Sequence, residues 1–116
     1  MFILETTEGQ NKLIKEMETE LFNRKFSLLE LDNEISVLLN YSPPLYSCSM
    51  FDISLTELLD YKCYTYGITL DKENGIFVEL SVDFEVLNEN DPNFNDYVED
   101  SEINNILVKV VGFEFI

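Results

Sequence analysis

The sequence predicts an α+β fold: an antiparallel sheet of four to five strands packed by an N-terminal helix, with one or two short helices. Three observations carry this. Apolar residues recur at helical spacing early in the chain, at Leu13, Ile14, Met17 and Leu21. From Ile76 to Val86 apolar and polar residues alternate strictly. Two further strand-like runs, at about residues 62–70 and 106–116, lie on either side of it in the chain.

Thr7-Glu8-Gly9-Gln10 fits a capping box, so the first helix is placed at about residues 8–23. Asn23, Arg24 and Lys25 follow, and basic residues suit the negative end of a helix dipole. Lys25 to Tyr41 reads as two strands, about 25–31 and 34–40, around a tight turn at Asp32-Asn33. A helix through Leu28, Leu31, Ile35 and Leu38 also keeps phase. Ser42-Pro43-Pro44 ends the segment. Ser54-Leu55-Thr56-Glu57 is a second capping box, opening a short helix with Leu55, Leu58 and Leu59.

Strand 62–70 leads through a turn at Asp71–Gly75 into the alternating strand. There Ile76, Val78, Leu80, Val82, Phe84 and Val86 point one way, and Phe77, Glu79, Ser81, Asp83 and Glu85 the other. A wet face of this kind indicates an antiparallel sheet covered on one side. Within residues 88–105, Asp91-Pro92 reads as an N-cap and first-turn proline, with Phe94, Tyr97 and Val98 on one apolar face. In the last strand Gly112 marks a bulge or bend.

The chain of 116 residues is read as a single acidic domain, residues 1–116, with no internal repeat or linker. Its 46% hydrophobic content, nine Phe and six Tyr are those of a folding chain, not of a disordered acidic tail. Cys48 and Cys63 fit no CxxC or zinc spacing and read as buried thiols, with a Cys48–Cys63 bridge as the alternative. There is no signal peptide pattern and no apolar run of about 18 residues, so the expected location is the cytoplasm, without membrane contact. The absence of Ala and Trp, beside eleven Asn, follows AT-rich codon usage and suggests a bacterial or phage origin.

Charge is the strongest functional signal. Twenty-three acidic residues face seven basic ones and no His, for a formal net charge of −16. Such a chain repels nucleic acid and anionic membranes and attracts basic protein surfaces. Lacking His, it also lacks the side chain that most often serves as an acid or base near neutrality. No Gly-rich phosphate loop is present and no cofactor is expected, so the chain reads as a binding protein and not an enzyme.

Between Lys72 and Lys109 there is no basic residue. Glu79, Asp83 and Glu85 share one strand face, with two-residue neighbours about 6.8 Å apart. Glu89, Asp91, Asp96, Glu99, Asp100 and Glu102 follow. These nine acids, with Tyr64 and Tyr66 as aromatic anchors, form the expected partner-binding surface. The run Asp91-Pro92-Asn93-Phe94-Asn95-Asp96-Tyr97-Val98-Glu99-Asp100-Ser101-Glu102 resembles the twelve-residue calcium loop of the EF-hand family. It departs from that pattern at Asp96, where the turn calls for Gly, and at Pro92, and a capped helix is the favoured reading.

The expected function is therefore a small acidic inhibitor of a basic, nucleic-acid-binding enzyme such as a nuclease. A phage-encoded anti-defence protein (anti-CRISPR or anti-restriction) that mimics DNA is one such setting. An immunity protein that neutralises a cationic toxin nuclease is another. A structural or assembly module, its acidic face serving solubility alone, is the alternative of a different class. The purified protein is expected not to bind DNA or RNA. A fluorescence-anisotropy titration at about 150 mM salt checks this, and sub-micromolar binding without a bridging cation would overturn the charge reading.

Overall fold

The computed structural model describes residues 3–39, 46, 47, 51 and 53–116. In chain order these form α1 (Thr7–Leu21), β1 (Phe26–Ser27), α2 (Leu28–Leu39), β2 (Tyr46–Ser47) and α3 (Leu55–Tyr61). There follow β3 (Cys63–Asp71), β4 (Ile76–Val86), α4 (Phe94–Glu99), a 3-10 turn (Ile103–Asn105) and β5 (Leu107–Phe115). All strand pairs are antiparallel, and the sheet order is β1-β5-β4-β3-β2. The α+β architecture and the N-terminal helix packed against the sheet are as expected. Tyr41, Ser42, Pro43, Pro44 and Cys48 lie outside the described residues.

Helix α1 buries Gly9, Leu13, Met17 and Leu21, one residue every four, as a single stripe. Ile14 is only half-buried beside it. The cap is Thr6 and not the expected Thr7. Thr6 Oγ1 accepts from the Gly9 N–H at 3.0 Å and donates to the Ile3 carbonyl at 3.0 Å. The Gln10 side chain donates instead to the Leu4 carbonyl at 2.9 Å. Both threonines can cap; the turn before the helix decides between them. Leu4 is buried, and the Ile3 carbonyl lies where a Cβ on residue 9 would stand. At the other end Asn23 takes φ 62°, and the Arg24 guanidinium donates to the Glu20 carbonyl at 2.9 Å. The same group lies 4.7 Å from the Phe26 ring centroid.

The two strands expected at 25–31 and 34–40 are a two-residue strand and a helix. Ser27-Leu28-Leu29-Glu30 is a reciprocal capping box: Ser27 Oγ accepts from the Glu30 N–H at 3.2 Å, and Glu30 Oε1 from the Ser27 N–H at 3.3 Å. Leu28, Leu31, Asp32, Ile35 and Leu39 form the buried stripe of α2. Asp32-Asn33 thus lies inside the helix, and Asp32 turns inward. Its Oδ1 accepts a 2.7 Å hydrogen bond from the buried Tyr66 hydroxyl of β3.

The β3–β4 hairpin turns at residues 72–75, as the sequence indicates. Asp71 Oδ1 accepts from the N–H groups of Glu73 and Asn74, and Gly75 supplies φ 66°. Strand β4 occupies Ile76–Val86 and is paired on both sides. Tyr64, Tyr66 and Ile68 of β3, Leu80, Val82 and Phe84 of β4, and Val108 and Val110 of β5 are buried beneath the helices. In β5 the register jumps from Asp83↔Gly112 to Phe84↔Val110, leaving Val111 as a bulged residue. Phe22 stacks on Phe113 at 5.9 Å, joining the end of α1 to the sheet. Ser54 caps α3 as expected, accepting from the Glu57 N–H at 3.2 Å.

Three substitutions test this packing. Tyr66→Phe removes a donor from a buried carboxylate and is expected to cost about 1.5–3 kcal/mol in urea denaturation. Tyr61→Phe, at a ring 71% exposed, should stay within about 0.5 kcal/mol of the parent. Gly9→Ala should destabilise although Ala is the better helix former, because the new methyl meets the Ile3 carbonyl.

Candidate functional site

The pleat of β4 sends every second side chain away from the helices. On that outer face Phe77, Asp83 and Glu85 are exposed, and Glu79 and Ser81 are half-buried. The neighbouring strands complete the surface. In register, β3 places Thr69 opposite Phe77, Gly67 opposite Glu79, Thr65 opposite Ser81 and Cys63 opposite Asp83. Strand β5 places Glu114 opposite Ser81, Gly112 opposite Asp83 and Lys109 opposite Glu85. Directly opposed residues have Cβ atoms about 4.5–5.5 Å apart.

Among the described residues four carboxylates therefore share this face with one base. Glu114 is a member that the run between Lys72 and Lys109 could not show, because only strand pairing brings it beside Ser81. Lys109 offsets the field at the Glu85 end. Around Glu79 and Asp83 the floor is low: a Cβ on Gly67 would meet nothing within 4 Å, and one on Gly112 would lie 3.8 Å from Asp83 Oδ2. The face is thus a shallow polar shelf of Cys63, Thr65, Gly67, Ser81 and Gly112 with carboxylates standing on it.

The Cys63 thiol registers this environment. Its pKa is raised, first by desolvation on burial and then by the negative charge of Asp83. A thiol held protonated is a poor nucleophile, and among the described residues no group of three or more His, Cys, Asp or Glu side chains converges to hold a metal ion.

The other expected acids divide by what they already do. Glu89 accepts from Lys62 at 2.7 Å. Asp91 accepts from the Asn93 N–H at 2.9 Å and from the Tyr97 hydroxyl at 3.4 Å, and Glu102 from Asn105 at 3.3 Å. Asp96, Glu99 and Asp100 are exposed on and after α4. The helix starts two residues later than expected, with Asn93 rather than Asp91 at the cap, because Asp91 is engaged in its own turn. Residues 94–99 are helical, so the twelve residues resembling a calcium loop do not wrap as one. Ser101 closes the helix at φ 55°, with the Glu102 N–H on the Tyr97 carbonyl at 2.7 Å.

Tyr64 and Tyr66 do not reach solvent as the expected anchors would. They share a strand face, but it is the inner one: Tyr64 is 7% exposed, Tyr66 0%, and the rings meet edge-to-face at 4.8 Å. An aromatic that does reach solvent on the acidic face is Phe77, 62% exposed. The signal was its place in the alternation, in phase with Glu79 and not with Ile76.

Comparison with protein-family models, curated proteins and solved structures finds no match. Among the described residues no helix is long and apolar enough to cross a membrane.

The pairing of Cys63 with Asp83 is open to direct measurement. The pH at which Cys63 reaches half its maximal alkylation rate should lie above that of an unstructured cysteine peptide, read at that residue by peptide mapping. Asp83→Asn should lower it. No change on substitution would mean that the carboxylate does not face the thiol.

Proposed function

We propose that this protein is a small acidic inhibitor that docks its outer sheet face onto the basic, nucleic-acid-binding surface of a nuclease or other defence enzyme. The observation that carries the reading is the cross-strand set Glu79, Asp83, Glu85 and Glu114, held on one face of a paired sheet in a chain of net charge −16. Affinity at a nucleic-acid site is mostly phosphate electrostatics, so a surface that holds negative charge at set spacings competes for it. Of these, Asp83 and Glu85 stand about 6.8 Å apart along β4. An anti-defence protein of a phage, acting as a DNA mimic in the cytoplasm, is the setting that uses this physics most directly. The reading is of a binding protein without catalysis: it assigns no catalytic residue and no cofactor.

One observation favours an assembly module as a second reading. Phe77 and Ile116 are 62% and 76% exposed, and the Ile116 N–H bonds the Glu79 carbonyl, so both flank Glu79. A contact made by these residues would be apolar. Salt separates the two: an electrostatic inhibitor loses on-rate as ionic strength rises, and an apolar contact does not.

The partner is to be captured from bacterial lysate at low and high salt, and its association then measured with two triple variants. Glu79→Lys, Asp83→Lys and Glu85→Lys together should slow association by about tenfold or more at low salt. Glu16→Lys, Glu18→Lys and Glu20→Lys on α1 change net charge equally and should do less. Equal losses in the two variants, with folding intact, would show that the field is diffuse and the face wrongly assigned.

A further inference from the structure

Away from the sheet face, Phe51, Ile53, Leu55, Ser101 and Ile103 line a cleft of about 250 Å³. Its four apolar residues are half-buried side chains resting on the core. The cleft lies between the start of α3 and the corner that follows α4. That corner is firmly built: Ser101 is left-handed, and its carbonyl accepts from the Ile103 N–H at 2.9 Å. Small-molecule sites run about 300–1,000 Å³, so this volume suits a single large side chain better than a whole ligand.

The described charged residues that neighbour the cleft lining in the chain carry one sign of charge. Asp100 and Glu102 are exposed and bracket Ser101 in the chain, with Glu99 before them, and Glu57 is exposed in the first turn of α3. Apart from Phe51, the lining residues come from the segments 53–61 and 94–105, and neither contains a Lys or Arg. An apolar floor inside a charged, wet rim is the arrangement in which an interface anchor gains most, because the rim excludes water while remaining solvated itself.

We infer that this cleft receives one aromatic or large aliphatic side chain from a basic segment of a protein partner, the flanking Arg or Lys residues lying against Glu57, Glu99, Asp100 and Glu102. The inference rests on the reading that the partner is basic. It gives Asp100 and Glu102 a different task from Glu79 and Asp83: they orient a segment around an anchor, while the sheet face meets a broad charged surface.

The test uses the full chain, isotopically labelled for amide NMR, and three short synthetic peptides: Arg-rich with one central Phe, the same with Ala for Phe, and the same with Gln for each Arg but Phe retained. The Phe peptide should shift amides at 53–55 and 101–103, and replacing its Phe by Ala should cost at least about tenfold in affinity. Ile103→Ala should weaken the Phe peptide and not the Ala peptide, whereas Phe77→Ala should change neither. Because the decisive substitution is in the peptide, a folding defect in the protein variant cannot obscure the result. Equal affinity of the Phe and Ala peptides, or shifts confined to β4, would overturn the cleft assignment and leave the basic-partner reading standing. Equal affinity of the Arg and Gln peptides would sink the basic-partner reading, and the inference with it.

Discussion

Strand β4 is central in the sheet and paired on both edges, so its pleat divides the molecule. Leu80, Val82 and Phe84 are buried under the helices. With those three fixed, Glu79, Asp83 and Glu85 have only the outer face available. A one-residue slip would exchange the two sets and carry carboxylates into the core, which is why alternation fixes register so firmly. The hairpin at 72–75 and the bulge at Val111 pin the same register from opposite ends. The hydrophobic core and the acidic face are one constraint seen from two sides.

Net charge works against that order. Self-repulsion at −16 favours expansion, and few bases are placed to relieve it. Arg24 closes α1 and covers Phe26. Lys12 meets Glu8 at 3.3 Å and Lys62 meets Glu89 at 2.7 Å, both solvent-facing pairs of small worth. Compactness therefore comes from apolar burial along α1, α2 and the inner sheet face. Among the described residues Asp32 is the one acid taken into that interior, at 6% exposure. It accepts from the Tyr66 hydroxyl, a directional bond that ties α2 to β3 across the core.

Much of the fold was legible because its signals are local. Alternation located β4 to the residue, Ser54 announced α3, and Gly112 marked the bend in β5. The failures have a common physical origin. Asp32-Asn33 has the composition of a turn, and nothing in the sequence says that Tyr66 will accept Asp32 as a partner 34 residues away. Yet Ser27-Leu28-Leu29-Glu30 carried a readable capping box that outweighs the turn. Thr6 displaced Thr7 because Leu4 is buried, which is a tertiary fact. For the surface, the β4 acids were legible from period two alone, whereas Glu114 required the pairing of β5. Tyr64 and Tyr66 misled because a shared strand face is visible in sequence, but which face is covered is not.

The acids also differ in how much freedom binding would remove. Glu89, Asp91 and Glu102 already accept hydrogen bonds, so a partner must compete with Lys62, Tyr97 or Asn105 for them. Glu79, Asp83 and Glu85 stand on a backbone paired on both sides, so their positions are set before any encounter, and only side-chain rotamers remain to be ordered. A preorganised face of like charge is unfavourable to the isolated molecule and gains most when a surface of opposite charge arrives. Such a face raises the association rate more than it lowers the dissociation rate, because long-range attraction acts before contact. Residence would then come from desolvated apolar contact, and on this face the exposed side chains able to supply it are Phe77 and Ile116.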